Sequence, residues 1–296
     1  MRALEPTTSG FLDRDGIAVH YEVYGDGAPT VYLLMPDVIV HSRAWKAQIP
    51  FLARHFRVVV SDPPGNGLSG TPVSAEQMDD DVVIAGQWAV LDAIGAEQAV
   101  LVGVCTGAGH ALIMAGQRPE RVLGACAINP GVRLTEPLPH RIAFDFDAPR
   151  DSYEGWQKQN RHYWKQDWAD WSQFFFGQMF PEPHSTKQVE DCVKWSMGAG
   201  AEMLILEYAS AYLAADIPSS REICEAVRCP VLVITGSLDM CQDPRRGPIA
   251  AEITGADLVI IDGGGHLPQA RDPVKVNLLL RDFITRVQAR GSRPGA

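Results

Sequence analysis

The stretch LVGVCTGAGH, residues 101–110, is an apolar run that ends in glycines around one thiol, with Gly103-Val104-Cys105-Thr106-Gly107 reading G-x-C-x-G. Small residues on both sides of a nucleophile, between an apolar run and a helix-forming stretch, are the mark of a sharp turn that lifts one side chain to its apex. The helix that begins at Thr106 directs its N-terminal dipole at the sulfur, which favours the thiolate. Two other groups complete a reaction set. Asp239 lies in TGSLD directly after the apolar run PVLVIT (230–235), and His266 lies in GGGHLP directly after DLVIID (257–262). An imidazole touching the thiol draws its proton, and a carboxylate on the far ring nitrogen stabilises the imidazolium. The chemistry these residue types support is attack of sulfur on an acyl carbon. Asp243 is an alternative acid, whereas Asn129 carries no charge to offer.

For these groups to meet, the chain must bring several strand ends together. Short β-branched runs recur at 30–34, 56–62, 99–104, 124–129, 230–235 and 257–262. Their continuous apolar character predicts strands covered on both faces, as in a parallel sheet. Helical spacing of Ile84, Trp88 and Leu91, and of Val276, Leu280, Phe283 and Val287, places helices between and after them. Upstream, SGFLDRDGIAVHYEVYGDG predicts an antiparallel hairpin turning at Asp15-Gly16. Ligands of open α/β sheets bind beyond the C-terminal strand ends, which is where Cys105, Asp239 and His266 all fall. Between Gly131 and about Pro218 the alternation stops, and this segment holds five of the seven tryptophans. Ser185-Thr-Lys-Gln188 within it is a helix-start signal. We expect a helical cap over residues 132–218, with the core formed by 1–131 and 219–296. Trp164, Trp168 and Trp171 are its candidate substrate contacts, and Trp156 and Phe175 are further pocket candidates.

With these motifs in order, the chain resembles the α/β-hydrolase fold superfamily, lid-bearing type, with Cys in place of the usual Ser. The resemblance runs from about residue 10 to 290 and is weakest through the cap. It also rests on DPPGNGLSG (62–70), similar to a D-x-x-G-x-G-x-S turn, and on GHLPQARDP (265–273). It implies a three-layer α/β-hydrolase fold, mostly parallel, with the N-terminal hairpin and the cap. It further implies Cys105 as nucleophile, His266 as base, Asp239 as its orienting acid, and the backbone N–H groups of Thr106 and Asp37 as oxyanion donors. One departure is the oxyanion loop, where Met35-Pro36 stands in place of His-Gly; His41 and Ser42 follow, read as a solvated loop face, with extra substrate contacts the alternative. The other is the sulfur. Attack on an oxygen ester leaves a thiolate and a poorer leaving alkoxide on one carbon, so the intermediate tends to revert, whereas a thioester carries no such penalty. The function expected is therefore acyl transfer through acyl-Cys105, as an acyltransferase or thioesterase. An ester or lactone hydrolase is the alternative, and a non-hydrolytic catalyst or ligand-binding protein on this scaffold is the reading from another class.

The bulk composition sets limits on partners. The 296 residues carry a formal net charge of −10, which argues against nucleic acid and anionic membranes as partners. No apolar leader or 18-residue apolar stretch is present, so a cytoplasmic protein is expected. The six cysteines lack C-x-x-C pairs and zinc spacing, so neither metal nor cofactor is expected, and all but Cys105 read as small core hydrophobes. The expected partner is a small-molecule acyl substrate, including carrier- or CoA-linked forms. Arg133, His140, Arg141 and Arg150 offer charge to a pantetheine phosphate, but the interspersed Glu136, Asp145 and Asp147 predict instead a solvated mixed-charge loop.

Overall fold

The structure, a computed structural model, describes residues 4–35 and 37–291; Pro36 of the oxyanion loop lies outside the described residues. Eight strands form one sheet: β1 (Thr8–Arg14), β2 (Ile17–Tyr24), β3 (Thr30–Leu34), β4 (Arg57–Ser61), β5 (Ala99–Val104), β6 (Val122–Ile128), β7 (Val231–Gly236) and β8 (Asp257–Ile261). Their order is β1-β2-β4-β3-β5-β6-β7-β8. The first two strands make the hairpin, with Arg14 opposite Ile17 and positive φ at both Asp15 and Gly16, the backbone form a two-residue turn needs. β2 meets β4 antiparallel, and from β4 onward every pairing is parallel.

Parallel pairing requires helical crossovers, and these cover both faces. One face is packed by α1 (Asp80–Ala93), α2 (Thr106–Gln117), α6 (Ile217–Ala226) and α7 (Arg246–Thr254). The opposite face receives Trp45 and Leu52 together with α8 (Pro273–Gly291), through Val276, Leu280 and Phe283. Strand β5 is buried at all six positions, as its unbroken apolar run requires. Strand β8 departs from that expectation. It lies at the sheet edge, and Leu258 and Ile260 remain 38% and 52% exposed because no neighbour among the described residues covers their face.

Between β6 and β7 the chain forms α3 (Arg161–Gln166), α4 (Trp168–Met179) and α5 (Thr186–Ala209), the last broken at Gly200 by a positive φ. Ser185 precedes α5 as its sequence suggests, but makes no side-chain cap. Its hydroxyl instead donates to the Glu182 carbonyl and accepts from Arg271 Nε.

Candidate active site

The turn after β5 is enforced by backbone contact. Cys105 has φ 55° and ψ −122°, a strained conformation for a residue with a side chain. A Cβ on Gly103 would stand 2.0 Å from the Gly107 carbonyl oxygen, one on Gly107 2.3 Å from that of Met35, and one on Gly131 2.8 Å from that of Cys105. Only glycine fits at these three positions. Gly109, by contrast, has nothing closer than 3.8 Å, so close packing of α2 depends on Gly107 rather than on every small residue of the helix.

The three reaction groups converge. His266 Nδ1 lies 2.7 Å from Asp239 Oδ2, with both residues buried, and Asp239 Oδ1 accepts the N–H groups of Cys241 and Gln242. Cys105, Cys241 and His266 each offer a donor atom within 4.8 Å of the other two. Asn129, which cannot serve as the acid, has another task. Its amide donates to the carbonyls of Gly265 and His266 and accepts from Gly236 N–H, tying the histidine loop to the end of β7. Asp243 turns away and grips Arg245.

Electrostatics correct the expected thiolate. The adjacent Cys241 sulfur and burial push the Cys105 thiol up, and His266 offsets them only in part. Burial disfavours a charged His266 ring, but the Asp239 carboxylate opposes this and raises the ring's affinity for a proton, the more so once Cys105 carries charge. Proton and charge thus belong to the pair, and the helix dipole does not by itself produce a free thiolate.

Asp37, Thr106 and Cys105 line one cavity with Trp171, Phe175, Arg141, Tyr208, Cys241 and Gln242. Thr106 N–H is at the first helical position, where no intrahelical acceptor exists. The Asp37 carboxylate faces Ile39 N–H and the Glu207 carboxyl, which burial and the Asp37 charge hold well above the ordinary range. His41 and Ser42 do not reach the substrate space. Ser42 N–H donates to Asp62 Oδ1, and His41 packs edge-on against Trp195, its charge disfavoured by burial. Asp62 also accepts from Leu68 N–H, and Asn66 donates to the Val38 carbonyl, so the 62–70 turn holds the loop after β3 in place.

The tryptophan expectation is corrected in part. Trp171 lines the cavity and Phe175 stacks on it at 5.0 Å. Trp164 is fully buried behind them among Phe146, Tyr208 and Trp171. Trp168 stacks on Trp171 and donates Nε1 to the Ser196 carbonyl. Both support the cavity wall from the second layer, because the stack presents only its last rings to the sulfur. Trp156 packs on His140. A more apolar chamber, lined by Phe175, Phe176, Met179 and Leu267, opens beside Cys105 and His266.

The sequence singled out neither Gln242 nor Glu207, and Arg141 and Cys241 line the cavity rather than standing in the solvated loop and the core expected for them. Arg141 Nη2 donates to Tyr208 Oη at 3.3 Å, while its buried Nη1 has no partner and no carboxylate pairs with it among the described residues. Gln242 Nε2 is 3.6 Å from Cys105 Sγ. A signal existed for Cys241. An aspartate commonly accepts the N–H two residues on, so an acid at 239 folds residue 241 back toward the site.

This strand order, with a strained turn at Cys105 after β5 and Asp239 and His266 on the last two strand ends, defines the class: the chain has the α/β-hydrolase fold. The alpha/beta hydrolase fold family matches residues 36–161. The chain is 44% identical to the 2-hydroxymuconate semialdehyde hydrolase of Pseudomonas sp. (strain CF600) over 78 residues, 26% of this chain and 27% of that protein. It thus spans about a quarter of that relative. Over 293 residues it is 27% identical to a protein named as a carbamate hydrolase, RutD of Caulobacter sp. (strain K31), covering 94% of this chain and 98% of that one. The enol-lactonase from Burkholderia xenovorans LB400 superposes with a TM-score of 0.75 at 18% identity, covering 93% and 100% of the two chains. Among the described residues no helix is long and apolar enough to cross a membrane.

Proposed function

We propose that this chain is a hydrolase of activated acyl groups (esters, lactones or thioesters) that works through an acyl-Cys105 intermediate. The observation that carries the reading is the buried row of Cys105, His266 and Asp239 at one cavity. Cys105 Sγ attacks the acyl carbon as its proton passes to His266, and Asp239 steadies the imidazolium. The carbonyl electron pair moves to oxygen, which faces the N–H groups of Thr106 and Asp37. Collapse expels the leaving group, which takes the proton from His266. A water, deprotonated by His266, then attacks the thioester and releases the acid and the thiol.

The relatives named as hydrolases and the lactonase likeness support water as the acceptor and an ester or lactone as the donor. The sulfur favours a second reading, acyl transfer, because an acyl-thiol stays activated toward an amine or alcohol. Arg141, buried at Nη1 without a carboxylate partner, supports an acyl donor that carries an anionic group.

Intact-mass spectrometry with oxygen-ester and thioester donors that share one acyl group tests the intermediate. The expected result is one acyl adduct on Cys105 that decays in water. His266→Ala should lower kcat by ~10²–10⁴-fold. Turnover retained in Cys105→Ala overturns the proposal.

A further inference from the structure

We propose that Cys105 Sγ, Cys241 Sγ and His266 Nε2 form a binding site for a soft divalent cation, zinc, that excludes acyl chemistry while it is filled. Three donor atoms lie within 4.8 Å of one another. Tetrahedral zinc, with Zn–S of about 2.3 Å and Zn–N of about 2.0 Å, sets its ligand atoms roughly 3.5–3.8 Å apart. Side-chain movements of an ångström or less close the difference. Two thiolates and one imidazole match the softness of zinc and leave its fourth position open, the pattern of a site that still admits water or a ligand.

A second shell is also present. A metal-bound histidine commonly donates its other ring nitrogen to a carboxylate that fixes the tautomer and aims the lone pair. Here His266 Nδ1 faces Asp239 Oδ2 at 2.7 Å, which leaves Nε2 directed at the sulfurs. The same carboxylate holds the Cys241 N–H on its other oxygen at 2.7 Å, so one acid positions two of the three ligands. The third, Cys105, is fixed by its turn. Cys105 and Cys241 also line the cavity shared with Asp37 and Thr106, from which a fourth ligand could come.

The sulfur that carries an acyl group is the one that binds metal, so acyl-Cys105 and bound zinc cannot coexist. The site itself does not depend on the acyl reading, and it is tested by a signal that acyl chemistry cannot produce. The full chain, reduced and metal-free, is titrated with Co(II) under argon. One equivalent should bind, with a thiolate-to-cobalt charge-transfer band in the near ultraviolet and strong tetrahedral d–d bands, all erased by one equivalent of Zn(II). Cys105→Ala and Cys241→Ala should each weaken affinity by on the order of a hundredfold or more and reduce the thiolate band. Asp239→Asn should weaken it by about 10–100-fold, the usual effect of losing an outer-shell partner. X-ray absorption of the zinc-loaded unmutated chain should give two sulfur and one nitrogen ligand, so the test does not depend on any variant folding. A cobalt spectrum without thiolate character, or stoichiometry and affinity unchanged in both cysteine variants, overturns the proposal. If acyl adducts never form but these bands do, the site stands and the acyl reading falls; the converse separates them equally well.

Discussion

Two sulfurs and one imidazole share the space that the sequence allots to a single nucleophile, and this governs what each atom does. The neighbouring Cys241 is the largest influence holding the Cys105 thiol up, burial adds to it, and His266 opposes both. Removing Cys241 therefore releases the Cys105 proton more readily. In chelated buffer at pH 7, Cys241→Ala should speed iodoacetamide capture of Cys105, by ~tenfold for each unit its pKa falls. Peptide mass mapping over time reads that rate, and the advantage should vanish at a pH high enough to ionise the thiol in both proteins. Arg141 makes a separate prediction. Hydrogen bonds to charged groups contribute about 1.5–3 kcal/mol, so Arg141→Gln should raise KM for a donor with a terminal carboxylate by roughly 10–150-fold. A neutral donor with the same leaving group should be nearly unaffected. Equal losses for both donors would place Arg141 in structure rather than recognition.

Elements fix where these residues stand, and here glycine positions carry testable weight. Gly107→Ala drives a methyl group to 2.3 Å from the Met35 carbonyl and should cost about 1–3 kcal/mol with loss of turnover. Gly109→Ala, with 3.8 Å to spare on the same helix, should be neutral or gain up to ~1 kcal/mol from helix propensity. Denaturant midpoints of the two variants make the comparison. In the aromatic wall, Trp171→Ala should weaken substrate binding by about 1–3 kcal/mol, the scale of one large buried side chain. Much of this arrangement was legible in the sequence. Cys105, Asp239 and His266 each follow an apolar strand run, and strand ends share an edge in a parallel sheet. The hairpin was equally legible, because Asp15-Gly16 supplies its own turn. Positions set by tertiary packing were not. Arg141 lies in a four-residue helix among mixed charges, and Glu207 meets Asp37 from a helix 170 residues away, which no local pattern records. Trp164 and Trp168 share the spacing of Trp171, and only the stacking direction separates support from lining.

For the molecule as a whole, a buried acid sets a pH signature. Glu207 holds its proton in the folded chain well above the range where the unfolded chain loses it, owing to burial and Asp37. At this site the folded state then holds more proton than the unfolded one above about pH 4.5, so the contribution of Glu207 to stability falls as pH rises from there. Glu207→Gln keeps an acceptor for Val38 N–H and removes that loss. Its melting temperature should exceed that of the unmutated chain at pH 8, by ~2–4 °C per kcal/mol recovered, and match it near pH 4. The histidine loop gives the chain a different global property. His266 N–H donates to the Met179 carbonyl at the end of α4, Gly265 N–H donates to Glu182, and a Cβ on Gly265 would strike Pro181. The stretch 179–182 thus moors the backbone at Gly265 and His266. Replacing the segment between β6 and β7 should therefore disturb His266 as well as the cavity wall. A chimera that receives another protein's insertion should lose the mooring of the 265–266 loop, so single side-chain changes in the cavity wall should be better tolerated than transplantation of the whole segment.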